Sequence, residues 1–536
     1  MVSELSADYV IVGGGSAGCT LAGRLAENPT TSVALLEEGP SDWSPYIHMP
    51  VTYYKTAKGP LLKRYAYEPS AAQAVSVTPS MAQARVLGGG SSVNAMLYVR
   101  GVPDDYDNWA KMGAIGWDYA GVLPYFKKAE NNDLYSNDAH SNAGPIGVSA
   151  QQSVLPLTKS WLQACQQAGL PYNADFNSGD QAGCGIYQVT ARDGRRSNTA
   201  RAYLKKRKNL HVNTGCCVVS ILIEGKKAVG VVYRRGNQKL IYRARREVII
   251  SAGALVSPKL LMLSGIGPAA QLKQHKIDVV LDAPAVGKNY QDHMELSMIY
   301  ELNGPYSYDK YKKLHWQFWA GAQYAFLKSG PVTSNVIEAG GFWWSKKKPR
   351  LPDIQFFFLA GAGIEEGVGD VPGGNGCTIS VTQTRPESIG YIELKSADPS
   401  DPPGIFPNYL TSPIDVECTA DAVLLIQKIM SMPAMRALVK RSHVPSRPLE
   451  TASELAQFVK SEAHAGLHPC GTCRMGDGLE CVVDSQLRVK GIDGLRVVDA
   501  SIIPRIISGN LNAVAIMIGE KAYDLIVDGQ SGFRAH

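Results

Sequence analysis

Near the end of the chain, the stretch HAGLHPCGTCRMG from His464 to Gly476 puts two histidines and two cysteines within a short reach of one another. Histidine nitrogen and cysteine sulfur are zinc ligands, and close spacings of this kind write structural zinc sites. Cys470 and Cys473, as a C-x-x-C, could instead form a redox dithiol. A third reading gives chemistry to one histidine alone, because an imidazole with a pKa of about 6.5 exchanges protons readily at neutral pH. The elements that would hold these residues decide among the three.

The first of those elements lies at the other end of the chain. DYVIVGGGSAGCTLAGRLAENPTTSVALLEEG begins with an apolar run, Tyr9 to Val12, that predicts a buried strand. Gly13, Gly15 and Gly18 follow in G-x-G-x-x-G spacing, and Leu21, Ala22, Leu25 and Ala26 then recur with helical periodicity up to Asn28-Pro29. A second apolar run, Val33 to Leu36, ends on Glu37. This is the order of a dinucleotide-binding βαβ unit. Gly13 permits a tight turn, Gly15 lets the backbone approach a pyrophosphate, and Gly18 lets helix and strand pack closely. The helix N-terminus offers N–H groups and partial positive charge to phosphates, and Glu37 is placed to accept hydrogen bonds from a ribose hydroxyl. An acid at that position disfavours NADP, whose extra phosphate it would repel.

The totals fit a large enzyme of this kind. The 536 residues allow two or three domains, with 45% hydrophobic and 19% charged residues. The 54 basic and 48 acidic residues leave a charge of +6 with no long basic block. Such dilute charge gives no argument for nucleic acid or a membrane surface as partner, and no nucleic acid is expected. Ten irregularly spaced cysteines in so large a chain predict reduced, mostly buried thiols and a cytoplasmic location. The opening heptapeptide MVSELSA has no apolar run, so no signal peptide is expected. No stretch of about 18 apolar residues predicts an integral membrane segment.

A second glycine loop narrows the class. ARVLGGGSSVNAMLYVRG, Ala84 to Gly101, joins three glycines and two serines to an apolar run, and it resembles the first signature of the glucose–methanol–choline (GMC) flavoprotein oxidoreductases. GALVSPKLLMLSGIGP, Gly253 to Pro268, resembles their second signature. VGKNYQDH, Val286 to His293, and the segment from Leu495 to Ile526 are similar to further stretches of that family. Within it, YDKYKKLHWQFWAGAQYAFLKSGPVTSN resembles the bacterial L-sorbose and polyethylene glycol dehydrogenases.

The resemblance implies an α/β fold: a Rossmann-like FAD-binding domain plus an α+β substrate domain with an antiparallel sheet. Breaks near 160, 192, 298 and 458 would give an FAD-binding domain from 1–160, 192–298 and 459–536, and a substrate domain from 161–191 and 299–458. The strand-like DIQFFFLAGAG and CTISVTQTRP, and the alternation from Tyr391 to Leu394, suit that sheet. By resemblance FAD would contact Gly13, Gly15, Ser16, Ala17, Gly18, Glu37, Arg85, Gly89, Ser92, Asn94, Asp499 and Ala500. Some members tether flavin through a histidine immediately before Asn94; Val93 occupies that place here, implying non-covalent FAD. Ile389 likewise replaces the usual arginine of an SRG stretch.

The family's active-site histidine, in an H-P-x-G-T stretch, falls on His468, and its partner falls on Asn510. His464 and Asn512 are the neighbouring competitors. A metal on His468 would take up the lone pair a base needs, so Cys470 and Cys473 read as packing residues and no metal is expected. His293 reads as a support near the flavin domain, and His315 as core packing, with the lining of a substrate entrance as its alternative. The implied reaction is oxidation of a CH–OH group of an alcohol, sugar or polyol by hydride transfer to flavin. The electron acceptor would be a quinone, a redox protein or O₂, making a dehydrogenase the leading reading and an oxidase its rival. A hydroxynitrile-lyase-type flavoprotein is the alternative outside redox chemistry.

Overall fold

The structure is a computed structural model and describes residues 4–68, 80–364 and 368–531. The first three residues of the opening heptapeptide lie outside the described residues.

The predicted βαβ unit is present: strand Glu4–Val12, helix Ser16–Leu25 and strand Val33–Leu36. Val10, Ile11 and all of Val33–Leu36 are buried, as expected for parallel strands covered on both faces. The strands join a seven-stranded sheet in the order Leu210–Asn213, Val33–Leu36, Glu4–Val12, Gln238–Ile250, Lys227–Arg235, Cys217–Glu224. Leu495–Val497 pairs in parallel with the end of Gln238–Ile250. The pairings among Leu210–Asn213, Val33–Leu36, Glu4–Val12 and Gln238–Ile250 are parallel, whereas 217–250 closes as an antiparallel meander.

A second, antiparallel sheet runs Ile337–Trp343, Ile354–Leu359, Gly376–Gln383, Met294–Leu302, Val439–Val444. The runs DIQFFFL and CTISVTQ fall on its neighbouring central strands, Ile354–Leu359 and Gly376–Gln383, which are buried along their whole length. Tyr391–Glu393 is also a strand, but it pairs apart with Gly404–Phe406 rather than in this sheet. A two-residue strand, His464–Ala465, pairs with Met294–Glu295 and brings the loop after it to the sheet's edge. All ten cysteines are free thiols, nine of them buried. No described helix is long and apolar enough to cross a membrane.

The last helix, Asn512–Ser531, packs on the first. A Cβ on Gly519 would lie 2.8 Å from the Ala17 carbonyl oxygen, so glycine is what allows the two backbones to approach. Arg24 donates from Nε and Nη2 to the fully buried Glu520, both at 2.8 Å, and Tyr203 donates to the same carboxylate at 2.7 Å.

The end of the Ala84–Gly101 loop is held by a buried ionic cluster. Arg100 pairs with Glu130, His140 Nδ1 meets Glu130 at 2.9 Å, and His140 Nε2 meets Asp175 at 2.9 Å. Burial pushes the Glu130 pKa up, but the hydrogen bond from His140 and the charge of Arg100 bring it below the usual carboxylate value. Breaking such a pair from one side leaves a buried charge without its partner. Glu130→Gln should therefore cost about 3–5 kcal/mol and lower the thermal unfolding midpoint. An unchanged midpoint would mean the cluster does not hold the loop.

Candidate active site

The segment Asn289–His293 and the loop 466–471 are laced together. Cys470 N–H donates to the Gln291 carbonyl at 2.9 Å, Gln291 N–H returns the bond at 3.1 Å, and Gly466 N–H donates to the His293 carbonyl at 2.7 Å. Asp292 is buried, accepts the His468 backbone N–H at 2.6 Å and accepts the Tyr409 hydroxyl at 2.7 Å. Burial raises its pKa to about 7 despite these bonds. Leu467, directly before His468, has φ of 61°, a left-handed conformation uncommon for a leucine. Gly471 has φ of 88°, and a Cβ there would meet the Asn289 carbonyl at 2.4 Å.

These bonds point the two histidine rings at each other, with His293 Nδ1 at 3.1 Å from His468 Nδ1. The proton positions follow from the partners. His293 Nε2 is 3.1 Å from both the Thr384 and Ile507 carbonyl oxygens. Carbonyls only accept, so Nε2 carries the proton and Nδ1 of the neutral ring is bare. His468 must then donate from Nδ1, which leaves its Nε2 with a free lone pair. Burial lowers the pKa of both rings, His293 to about 4 and His468 to about 3, and His293 adds to the lowering at His468.

That bare Nε2 is 3.2 Å from Asn510 Nδ2. Asn510 Oδ1 in turn accepts from Gln355 Nε2 at 3.4 Å, which suits an amide whose nitrogen faces the histidine. Gln355 comes from the strand Ile354–Leu359, so the His468–Asn510 pair lies beside the start of a central strand of the second sheet. The turn before Asn510 is pinned by buried Asp105, which accepts from Ser508 N–H at 3.0 Å and Ser508 Oγ at 2.5 Å.

The competitors are used elsewhere. His464 Nε2 is 3.9 Å from Glu295 and its Nδ1 is 3.3 Å from the Glu462 carbonyl. Asn512 Oδ1 accepts from Ser16 Oγ at 2.8 Å. Cys470 and Cys473 are fully buried, and burial raises both thiol pKa values. Among the described residues, no group of three or more His, Cys, Asp or Glu could hold a metal ion. His315 is exposed on the helix Leu314–Leu327 rather than packed in the core: two buried residues account for that helix's hold on the protein, and His315 is not one of them. His293 and Gln355 were not legible as site residues. His293 did fall in the VGKNYQDH stretch, the one signal that could have raised it.

The cofactor-binding candidates gather at the N-terminus of the helix Ser16–Leu25. No side chain caps that helix at Gly15, and a Cβ on Gly15 would find only the Ser251 carbonyl, at 3.8 Å. The second glycine loop lies against the first. Gly88 N–H donates to the Gly14 carbonyl at 2.7 Å, and a Cβ on Gly89 would lie 2.6 Å from Gly15 Cα. Buried Glu37 accepts from Gly14 N–H at 2.8 Å and Gly39 N–H at 2.7 Å, which leaves further lone pairs for a ligand hydroxyl. Asn512 Nδ2, beside Ser16, is buried with no hydrogen-bond partner among the described residues. An orphaned donor, an uncapped helix and two touching glycine loops fit the pyrophosphate of FAD.

Several other candidates do structural duty in the same place. Ser92 Oγ donates to the Leu87 carbonyl at 2.8 Å, and Asn94 Oδ1 accepts from Arg196 at 2.7 Å. Asp499 caps the turn Ala500–Ile502 through Ser501 N–H at 2.8 Å and accepts from Gly253 N–H at 2.9 Å. Arg85 pairs with Glu38 at 2.9 Å.

The tautomer assignment is testable by histidine nitrogen NMR. At pH 6 an ordinary histidine is about three-quarters protonated, whereas His293 and His468 should both remain neutral. His468 should show protonated Nδ1 and bare Nε2, and His293→Phe should release it into a mixture of tautomers. A protonated Nε2 on His468 in the parent protein would contradict the assignment.

Comparison with known proteins identifies the family. The N-terminal GMC oxidoreductase family model matches residues 7–295 and the C-terminal one matches 386–519. The chain is 39% identical to an alcohol dehydrogenase [acceptor] of Pseudomonas putida, over 97% of this chain and 95% of that protein. It is 40% identical to an oxygen-dependent choline dehydrogenase of Brucella anthropi, over 98% and 96%. Its fold superposes on a variant of Aspergillus oryzae formate oxidase with a TM-score of 0.93, 26% identity and coverage of 99% and 100%. The chain belongs to the GMC oxidoreductases, and is an FAD-binding enzyme acting on the CH–OH group of its donors.

Proposed function

We propose that this chain is a dehydrogenase for an alcohol, sugar or polyol, with His468 as the base and Asn510 as the group that holds the reacting oxygen. The observation that supports this most is the 3.2 Å contact between the Asn510 amide nitrogen and His468 Nε2, the nitrogen that the hydrogen bonds of His293 leave bare. A hydroxyl donating to Nε2 lies within reach of Asn510 Nδ2, which can stabilise the alkoxide charge as the proton leaves. The proton ends on Nε2 while Nδ1–H stays on His293, so the ring keeps its orientation when it becomes cationic. When bound, FAD supplies the two-electron acceptor for the hydride from the carbinol carbon. Gly13, Gly15, Ser16, Ala17, Gly18, Glu37, Gly89 and Asn512 would hold it, with Arg85, Ser92, Asn94, Asp499 and Ala500 around them. Val93 is buried and carries no nucleophile, which supports non-covalent attachment.

The acceptor is a separate question. The relatives include one protein named for an unspecified acceptor and another named as oxygen-dependent. Anaerobic mixing with a panel of alcohols should bleach the flavin. Admitting air and then an artificial acceptor separates an oxidase from a dehydrogenase. Flavin that stays oxidised while the substrate is cleaved would favour lyase chemistry instead.

Three variants test the assignment. His468→Ala should stay yellow but lose about 10²–10⁴ in the rate of anaerobic flavin reduction, with a smaller effect on alcohol binding. Asn510→Ala should lose less, and His464→Ala should stay within a few fold of the parent. The reverse ranking of the two histidines would move the base by four residues. Acid precipitation should also release FAD into the supernatant; colour retained by the washed pellet would reveal a covalent tether.

A further inference from the structure

The helix Leu314–Leu327 has no Asp, Glu, Lys or Arg over its fourteen residues. A helix apolar on nearly every side is ordinarily buried, yet only Ala320 and Tyr324 of this one are. Those two, one turn apart, rest on Val332 and the partly buried Met49, Val51 and Tyr311. The rest faces outward. Leu314, Phe318, Trp319, Phe326 and Leu327 each expose between 68% and 86% of their surface, and Trp316 exposes 40%. Folding alone does not account for so much apolar surface on one element.

The charges around the helix have one dominant sign. From Asn303 to Gly330 there are four lysines, Lys310, Lys312, Lys313 and Lys328, against one acid, the buried Asp309. Lys310 lies 5.6 Å from the Trp316 ring centre and Lys328 lies 4.6 Å from that of Tyr324, so cationic heads border the apolar face at both ends. Tryptophan beside lysine, next to fully apolar side chains, is the composition of a segment that lies at a lipid–water boundary. At about 1.5 Å per residue the helix is about 21 Å long, short of the roughly 30 Å hydrocarbon layer, so it can lie in the boundary but not span it.

We propose that this helix is an interfacial anchor that docks the enzyme on an anionic lipid surface, with Leu314, Phe318, Trp319, Phe326 and Leu327 in the acyl region and Lys310, Lys313 and Lys328 at the headgroups. A second copy of the chain is the other conceivable cover. A two-fold contact through this helix would set the lysines of each copy against those of the other, with Asp309 buried and Asp370 already paired to Lys312. Charge complementarity therefore favours lipid. Docking there would put the enzyme on the surface that holds any lipid-soluble electron acceptor.

The test uses the FAD-loaded full chain and vesicles of phosphatidylcholine, with and without phosphatidylglycerol. The chain should sediment with the anionic vesicles, blue-shift its tryptophan emission on binding, and lose binding as salt is raised. The triple variant F318S/W319S/F326S should weaken vesicle binding at least about tenfold, while flavin content and turnover with a soluble acceptor stay at the parent level. K313E/K328E should weaken binding to anionic vesicles specifically. No binding to either vesicle, or binding the triple variant retains, would overturn the proposal. So would a dimer in sedimentation velocity that the triple variant abolishes while vesicles remain unbound, because the helix would then be a self-association surface.

Discussion

The close packing of the last helix on the first is the contact on which the rest of the site depends. Gly519 lets the backbones meet at Ala17, and Arg24 neutralises Glu520 in the seam between them while Tyr203 donates a hydrogen bond to it. Asn512 then reaches Ser16 at the N-terminus of the first helix. Asn510, two residues earlier, reaches His468. One helix start thus ties the proposed cofactor cradle, built from the opening of the chain, to the proposed proton-transfer pair, built from its end. A shift between the two helices would move cradle and base relative to each other, and well-oriented reactions lose rate steeply with such errors.

Around that seam, hydrogen-bond bookkeeping decides the chemistry. An imidazole is useful as a base only with a defined bare nitrogen, and nothing in the His468 ring itself chooses which one. Two backbone carbonyls choose it at one remove, by demanding the proton of His293 Nε2. Burial opposes a charge on either ring, so the pair is held neutral and ready to accept one proton. The lacing of Asn289–His293 to the loop 466–471 is what keeps these nitrogens in line.

The outer surface follows a different rule. The chain carries a net charge of +6 spread over 536 residues, and that average gave no sign of a membrane surface. The average concealed a local arrangement: an uncharged fourteen-residue helix with lysines at its margins, held to the protein by two buried side chains. The same residues made His315 read as a core histidine, since aromatic-rich helices are usually inside. Only the position of the helix relative to the rest of the fold shows that it faces outward.

Local periodicity and short spacing were enough for the βαβ unit, for the buried central strands of the second sheet and for the glycine loops, because each is dictated by residues near in sequence. The motif order also carried the family, and with it the choice of His468 and Asn510 as candidates. What the sequence could not express was the set of partners drawn from far along the chain. His293 and His468 are 175 positions apart and Gln355 and Asn510 are 155 apart, so no local pattern records that they touch. Tyr391–Glu393 read correctly as a strand but not as a separate pair, because strand pairing is a long-range choice. Residue types determined which groups could exchange protons or bind phosphate. Tertiary packing decided which nitrogen is bare, which asparagine faces it and which apolar helix is left outside, since each depends on distances that only the folded backbone sets.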